Sequence, residues 1–232
     1  MPQLDFGLLL QGQYLDWLLS GFVFSMQLTG LSLLGALPLA TTVALLRLSP
    51  SRVLRGLGFA FVESIRNVPL LVQMLFWYFA APDALPEGIK GWLYAGNIEA
   101  SAAVMALTLY TAAYMAEDIR SGVRAVPRHQ HDAARALGLG YLACMQWVIL
   151  PQAWRITVPP LISQTLNLWK NTSLATVIGV AELMYQAQRV ESESFRGFET
   201  FAVATAGYLG LSLLITALAA AFARRYPVRP AR

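Results

Sequence analysis

Long stretches without a charged residue set the pattern of this chain. Between Asp16 and Arg47 lie thirty uncharged residues, and since about twenty span the hydrocarbon core of a bilayer, Trp17 to Leu46 contains one complete membrane helix. Ala100 to Ala116 and Thr200 to Ala223 predict two more. The uncharged run from Asn67 to Pro82 is shorter, so a full span there starts near Gly56 and takes in Glu63 and Arg66, spaced to pair with each other. Within it Pro69 opens a gap in the helical hydrogen bonding, which Gln73 is placed to help satisfy. A further stretch, Ile156 to Ala181, opens with Pro159-Pro160 and is interrupted by Lys170, which predicts a broken or kinked helix. Five crossings follow, in an all-α integral membrane fold.

Composition agrees with that pattern. The 232 residues are 56% hydrophobic and 13% charged, too little polar surface to solvate a globule of this size. The single cysteine, Cys144, allows no intrachain disulfide and matches no metal-ligand spacing, so it reads as a small apolar filler. Asp5 and Asp16 precede the first basic residue, Arg47, the reverse of a cleavable signal peptide, so the first apolar segment is expected to stay in the mature protein.

The distribution of charge sets an orientation. Arg47, Arg52 and Arg55 lie between the first two spans, Arg120, Arg124, Arg128, Arg135 and Arg155 between the third and fourth, and Arg224, Arg225, Arg229 and Arg232 in the tail. The alternate segments carry only Lys90, Arg189 and Arg196. Positively charged loops stay cytoplasmic, so the N-terminus is expected in the periplasm and the C-terminus in the cytoplasm.

The longest cytoplasmic segment, 121–151, has the features of a short helix. Asp132 reads as its N-cap, Ala133 and Ala134 as its opening, and Gly138 as its stop. From these residues alone, an amphipathic helix that merely closes a loop and a surface that docks a partner are equally good readings. Lys170 is the other informative position, because a cation near the centre of a span costs about 2.5 to 3.5 kcal/mol and needs a partner or a wet cavity. It either attracts a substrate carboxylate, with Asn167, Asn171, Thr172 and Ser173 offering hydrogen bonds beside it, or pairs with a carboxylate such as Glu182, or snorkels to an interface. Arg66 and Gln73 join the candidate pathway, although pairing of Arg66 with Glu63 favours a structural role. His129 and His131 stand two apart in a basic loop and read as solvated, with no metal assigned.

Asp132-Ala-Ala, Gly138, Val148 and Leu150-Pro151 resemble the Glu-Ala-Ala loop of binding-protein-dependent ABC importers, with Asp132 in place of the usual Glu, Val148 in place of Ile, and His129 in place of a Gly. Glu63 to Gln73, Ala113 to Glu117 with Arg120, and Lys170 to Leu174 are similar to segments of polar amino-acid permeases, and Arg66-Asn-Val-Pro-Leu70 with Asn167 to Asn171 most resembles the glutamate/aspartate group. The resemblance covers about Ser20 to Phe222. It implies short cytoplasmic coupling helices, with Asp132, Ala133, Ala134, Leu137, Gly138, Leu150 and Pro151 docking on a separate ATPase. It also implies a periplasmic segment over 1–19, a type-1 permease domain over 20–223, and a basic cytoplasmic tail over 224–232. The implied assembly in the bacterial inner membrane has two ATPase subunits carrying ATP and Mg, a second related permease, and a periplasmic binding protein that delivers a polar, acidic amino acid. This chain itself is expected to hold no cofactor and to interact with no nucleic acid.

The sequence contains no Gly-x-x-x-x-Gly-Lys-Ser/Thr loop, so energy must come from a partner. An intramembrane enzyme is the lesser alternative, but no His-Glu-x-x-His or Gly-x-Ser-x-Gly occurs. An ATP-independent channel or a scaffold is the other alternative and leaves the coupling loop unexplained.

Overall fold

The computed structural model describes residues 4–9 and 11–225. Arg229 and Arg232 of the tail, expected in the cytoplasm, lie outside them. The helices are α1 (Gly12–Leu48), α2 (Arg52–Arg66), α3 (Leu70–Leu75), α4 (Glu87–Ala95), α5 (Ile98–Arg124), α6 (Arg128–Ala136), α7 (Tyr141–Cys144), α8 (Leu150–Asn171), α9 (Leu183–Ser194) and α10 (Gly197–Arg225). Among the described residues all regular structure is helical.

Among the described residues, three helices are long and apolar enough to cross a membrane: Gly12–Leu48, Ile98–Arg124 and Gly197–Ala221. Arg52–Arg66 and Leu70–Ala84 make a fourth candidate only as a pair, because the chain bends by 98° between them. The break falls at Pro69, whose ring fixes φ and removes a donor. Gln73 bridges it, its Nε2 donating to Ile65 O at 2.8 Å and to Val68 O at 2.9 Å. Carbonyls that would otherwise lose their partners in a dry environment are thereby satisfied. The helical run at 156–181 is broken as expected, but not at its prolines. Helix α8 continues through Pro159 and Pro160, and the change comes at Thr172, where a 3-10 segment, Thr172–Ile178, begins and ends at Gly179 with φ +84°.

Two π-helical segments share a cause. Phe76–Ala80 stands just before Pro82, and Met145–Ile149 just before Pro151. Each proline lacks the N–H that would bond the carbonyl four residues back, and the backbone widens its register ahead of it.

Packing is built on small residues. On α1 the buried positions Leu18, Gly21, Ser25, Leu28, Ser32, Ala36, Ala40 and Val43 recur every three to four residues, and Ala36, Ala40 and Ala44 meet Ala112, Met115 and Ala116 of α5. Leu31, Leu34 and Leu45 point outward instead. This arrangement suits lipid, where large apolar side chains gain nothing by turning inward and close backbone approach supplies the packing. Helices α1 and α5 run in the same direction, as the approach of Thr108 to Ser32 O and of Arg47 to Glu117 requires. Helix α8 runs against α5, with Gly122 opposite Thr157 and Asp118 opposite Gln164. In α10 the small pair Ala206 and Gly210 is exposed, and the glycine that packs inside this chain is Gly207, against Leu183 and Phe22.

Candidate functional site

The segment 121–151 folds as a compact hook. Helix α6 starts four residues before Asp132, because Pro127 ends α5 and occupies the capping position with φ −60° and ψ 141°. Asp132 is therefore an exposed mid-helix residue and not an N-cap. The helix stops as expected. Gly138 has φ +79°, its N–H donates to Arg135 O at 2.9 Å, and Leu139 N–H donates to Ala134 O at 3.1 Å. These two bonds define a Schellman close, which needs a residue that tolerates the left-handed region.

One face of the hook is anchored and the other is open. Ala134 is buried with Val126, Cys144, Ile149 and Ala153. Gln152 Nε2 donates to Gln130 Oε1 at 3.2 Å, tying the start of α8 to α6. Asp132, Ala133 and Gly138 face outward, and Leu137, Tyr141 and Leu142 are 82%, 77% and 79% exposed. Leu150 and Pro151 are also exposed, at the start of α8. Exposed apolar side chains this large, in a segment rich in charge, form an open apolar patch on the outer face of the hook.

A second set of residues lies along α8. Ser163, Asn167 and Lys170 are exposed and recur at helical spacing, so one outward stripe of this helix is polar. Next to it, Gln164 Nε2 donates to Asp118 Oδ2 at 3.0 Å. Asp118 shares a face of α5 with Tyr114 and Tyr110, each one turn apart, and the two tyrosine rings lie 4.8 Å centroid to centroid. The Arg66 guanidinium stands 4.8 Å from the centroid of Tyr114. The expected pairing of Arg66 with Glu63 does not form. Glu63 Oε2 accepts from Asn67 Nδ2 at 3.2 Å, and Arg66 takes the ring face, a favourable place for a guanidinium.

The other sequence candidates are distributed around this stripe. Asn171 and Ser173 are half-buried, and Ser173 Oγ donates to Lys170 O at 2.8 Å. Thr172 is fully buried and donates to Trp169 O at 2.8 Å. Gln73 is buried at the Pro69 break. Lys170 has no ion pair among the described residues, and Glu182 does not supply one. Its carboxylate caps α9, accepting from Met184 N–H at 3.0 Å and Tyr185 N–H at 2.9 Å, from Ser25 Oγ at 3.2 Å, and from Thr176 Oγ1 and Tyr208 Oη.

Tyr110, Tyr114, Asp118 and Gln164 were not reached by reading the sequence as uncharged runs. The four-residue recurrence of Tyr110, Tyr114 and Asp118 is the signal that marks them.

Comparison with known proteins places these features in a family. A family model described as "Binding-protein-dependent transport system inner membrane component" matches residues 36–227. The chain is 36% identical over 206 residues to the glutamate/aspartate import permease protein GltJ of Escherichia coli (strain K12), covering 87% of this chain and 84% of that protein. It is 38% identical over 196 residues to the probable glutamine ABC transporter permease protein GlnM of Bacillus subtilis (strain 168), covering 84% and 86%. A solved structure described as an amino acid ABC transporter with histidines superposes with a TM-score of 0.83 at 31% identity, covering 96% of this chain and 99% of that one.

Proposed function

Because this chain belongs to the family of binding-protein-dependent inner-membrane transport components, we propose that it lines the path by which an acidic amino acid enters the cell. The chain is a multi-pass inner-membrane permease of an ABC amino-acid importer and not an enzyme, and a separate ATPase hydrolyses ATP. The finer reading has five crossings, the N-terminus in the periplasm and the C-terminus in the cytoplasm, with Ile156–Ala181 as the fourth crossing. The observation that carries the path is the outward polar stripe of α8. Ser163, Asn167 and Lys170 would be costly against lipid and are stable against a water-filled passage or a second permease.

Lys170 is the cation that attracts a carboxylate, Asn167 and Asn171 offer hydrogen bonds beside it, and Arg66 on its tyrosine ring adds a second positive charge. Thr172, Ser173 and Gln73 serve this path by holding the backbone at the two breaks beside it. Asp132, Ala133, Ala134, Leu137, Gly138, Leu150 and Pro151 form the hook that seats in an ATPase subunit. Two permeases, this one and a related but different chain, sit over an ATPase pair that carries ATP and Mg, and a periplasmic binding protein supplies the substrate. Nucleotide then biases a two-state equilibrium between inward- and outward-open forms.

The relatives named for glutamine make a polar uncharged amino acid the second reading. Competition of labelled glutamate uptake by unlabelled aspartate, glutamine and arginine in the reconstituted importer separates the two. Strong competition by aspartate is expected. Competition by glutamine alone moves the assignment to the second reading, and uptake that persists with an inactivated ATPase removes the importer mechanism.

A further inference from the structure

Where α1 and α5 end, five guanidinium groups converge on one cavity. Arg47 from the last turn of α1, Arg52 and Arg55 from the start of α2, and Arg120 and Arg124 from the end of α5 line about 340 Å³, with Gly56 and Phe59 completing the wall. Among the described residues the one carboxylate in ion-pair contact with any of them is Glu117, 3.4 Å from Arg47 Nη2 and also bonded to Arg120. Arg52, Arg55 and Arg124 have no such partner. The Arg47 side chain is only 11% exposed, and its Nη1 is buried with no hydrogen-bond acceptor. Five positive charges held together against one negative charge repel one another, and a buried guanidinium N–H without an acceptor is costly. The charge excess is offset by an anionic, multi-oxygen ligand seated among the guanidinium groups.

We propose that this cavity binds a phosphate group, and that the headgroup of an anionic phospholipid supplies it. Guanidinium forks match phosphate oxygens in pairs, which a single carboxylate such as Glu117 cannot do for five arginines. The depth also fits, because the cavity is lined by the last turns of two membrane-length helices, where the hydrocarbon layer gives way to headgroups. Beside it, α2 presents Val53, Leu54, Leu57 and Phe59 as exposed apolar side chains, a surface for the acyl chains of the same lipid. A free phosphate would use the arginines but not that surface. The site is independent of which amino acid the importer carries.

The test uses the full chain assembled with its partner subunits, extracted from vesicles of phosphatidylcholine with a minority of phosphatidylglycerol, and quantifies the lipid that co-purifies. The native protein is expected to enrich phosphatidylglycerol over its bulk share, and Arg52→Gln with Arg55→Gln to lower that enrichment by about fivefold for each arginine removed. Arg52→Lys with Arg55→Lys keeps the charge and should retain most of it. If the glutamine pair does not assemble, Arg124→Gln alone answers the same question. Equal enrichment in native and glutamine variants overturns the lipid assignment. A parallel arm measures melting in pure phosphatidylcholine with millimolar inorganic phosphate. Stabilisation of the native protein alone, without lipid enrichment, overturns the lipid source in favour of soluble phosphate, and no response in either arm overturns the site.

Discussion

The Tyr208 hydroxyl donates to the Glu182 carboxylate at 2.6 Å, joining α10 to the cap of α9 at a point where the carboxylate is fully buried. Ser25 brings α1 into the same contact, donating to Glu182 Oε2 at 3.2 Å and accepting from Leu183 N–H at 3.1 Å. Every group around the carboxylate is a donor. Tyr208→Phe should therefore destabilise the chain by about 1.5 to 3 kcal/mol, the range for a hydrogen bond to a charged group. Glu182→Gln should cost at least as much, since its amide N–H₂ would face donors. Thermal unfolding of the purified permease checks both, and an unchanged melting temperature in both variants would remove Glu182 as a tie between helices.

Gln73 is expected to tolerate an apolar replacement better than a charged one. Its Nε2 serves Ile65 O and Val68 O, while its Oε1 is buried without a partner. Gln73→Leu loses two bonds of about 1 kcal/mol each but also removes the orphaned oxygen. Gln73→Glu keeps that burden and sets a carboxylate against two carbonyls. The melting temperature should fall in the order native, leucine, glutamate, and the reverse order for the two variants would refute the bridging role.

Gly122 allows α5 to meet α8. A Cβ there would lie 1.9 Å from Thr157 Oγ1, and Thr157 is buried with its hydroxyl donating to Ala153 O at 2.8 Å. Gly122→Ala should destabilise by about 1 to 3 kcal/mol through overpacking. Adding Thr157→Ala frees the space and should recover part of the loss, a non-additivity that a double-mutant cycle reads directly.

Leu142 tests the hook. It is 79% exposed and outside the buried cluster around Ala134, so Leu142→Asp should leave the melting temperature of the permease within the range of about ±0.5 kcal/mol typical of surface changes. Binding of the ATPase should weaken by about tenfold or more if the leucine is an anchor of that interface. Normal association measured on the assembled complex would move the docking surface elsewhere.

Lys170 tests the path. Lys170→Gln removes a charge that has no ion-pair partner among the described residues, so the fold should persist while glutamate uptake falls by about tenfold, as for loss of one charge-assisted bond. Glutamine uptake should change little. Equal loss for both amino acids would make the lysine structural and leave the acidic preference without its main support.

The sequence by itself determined where the three membrane-length helices lie, that Pro69 would open a gap in the helical hydrogen bonding with Gln73 placed to help satisfy it, and that the short helix around Asp132 would stop at Gly138. Each follows from properties local to a stretch of chain: transfer of apolar residues into lipid sums along the sequence, and a proline or a left-handed glycine acts on its immediate neighbours. Only the tertiary structure decided the partners of the polar groups. Asp132 lost the capping position because Pro127 began the helix earlier, Arg66 turned from Glu63 to a ring on α5, and the carboxylate of Glu182 found hydroxyls on α1 and α10 instead of Lys170. The same holds for the convergence of Arg47, Arg52, Arg55, Arg120 and Arg124, which the sequence showed as a count of charges on one side and the packing of three helix ends turned into a cavity. A buried polar group accepts whichever complementary atom lies within about 3 Å, and that distance is set by helices far apart in sequence.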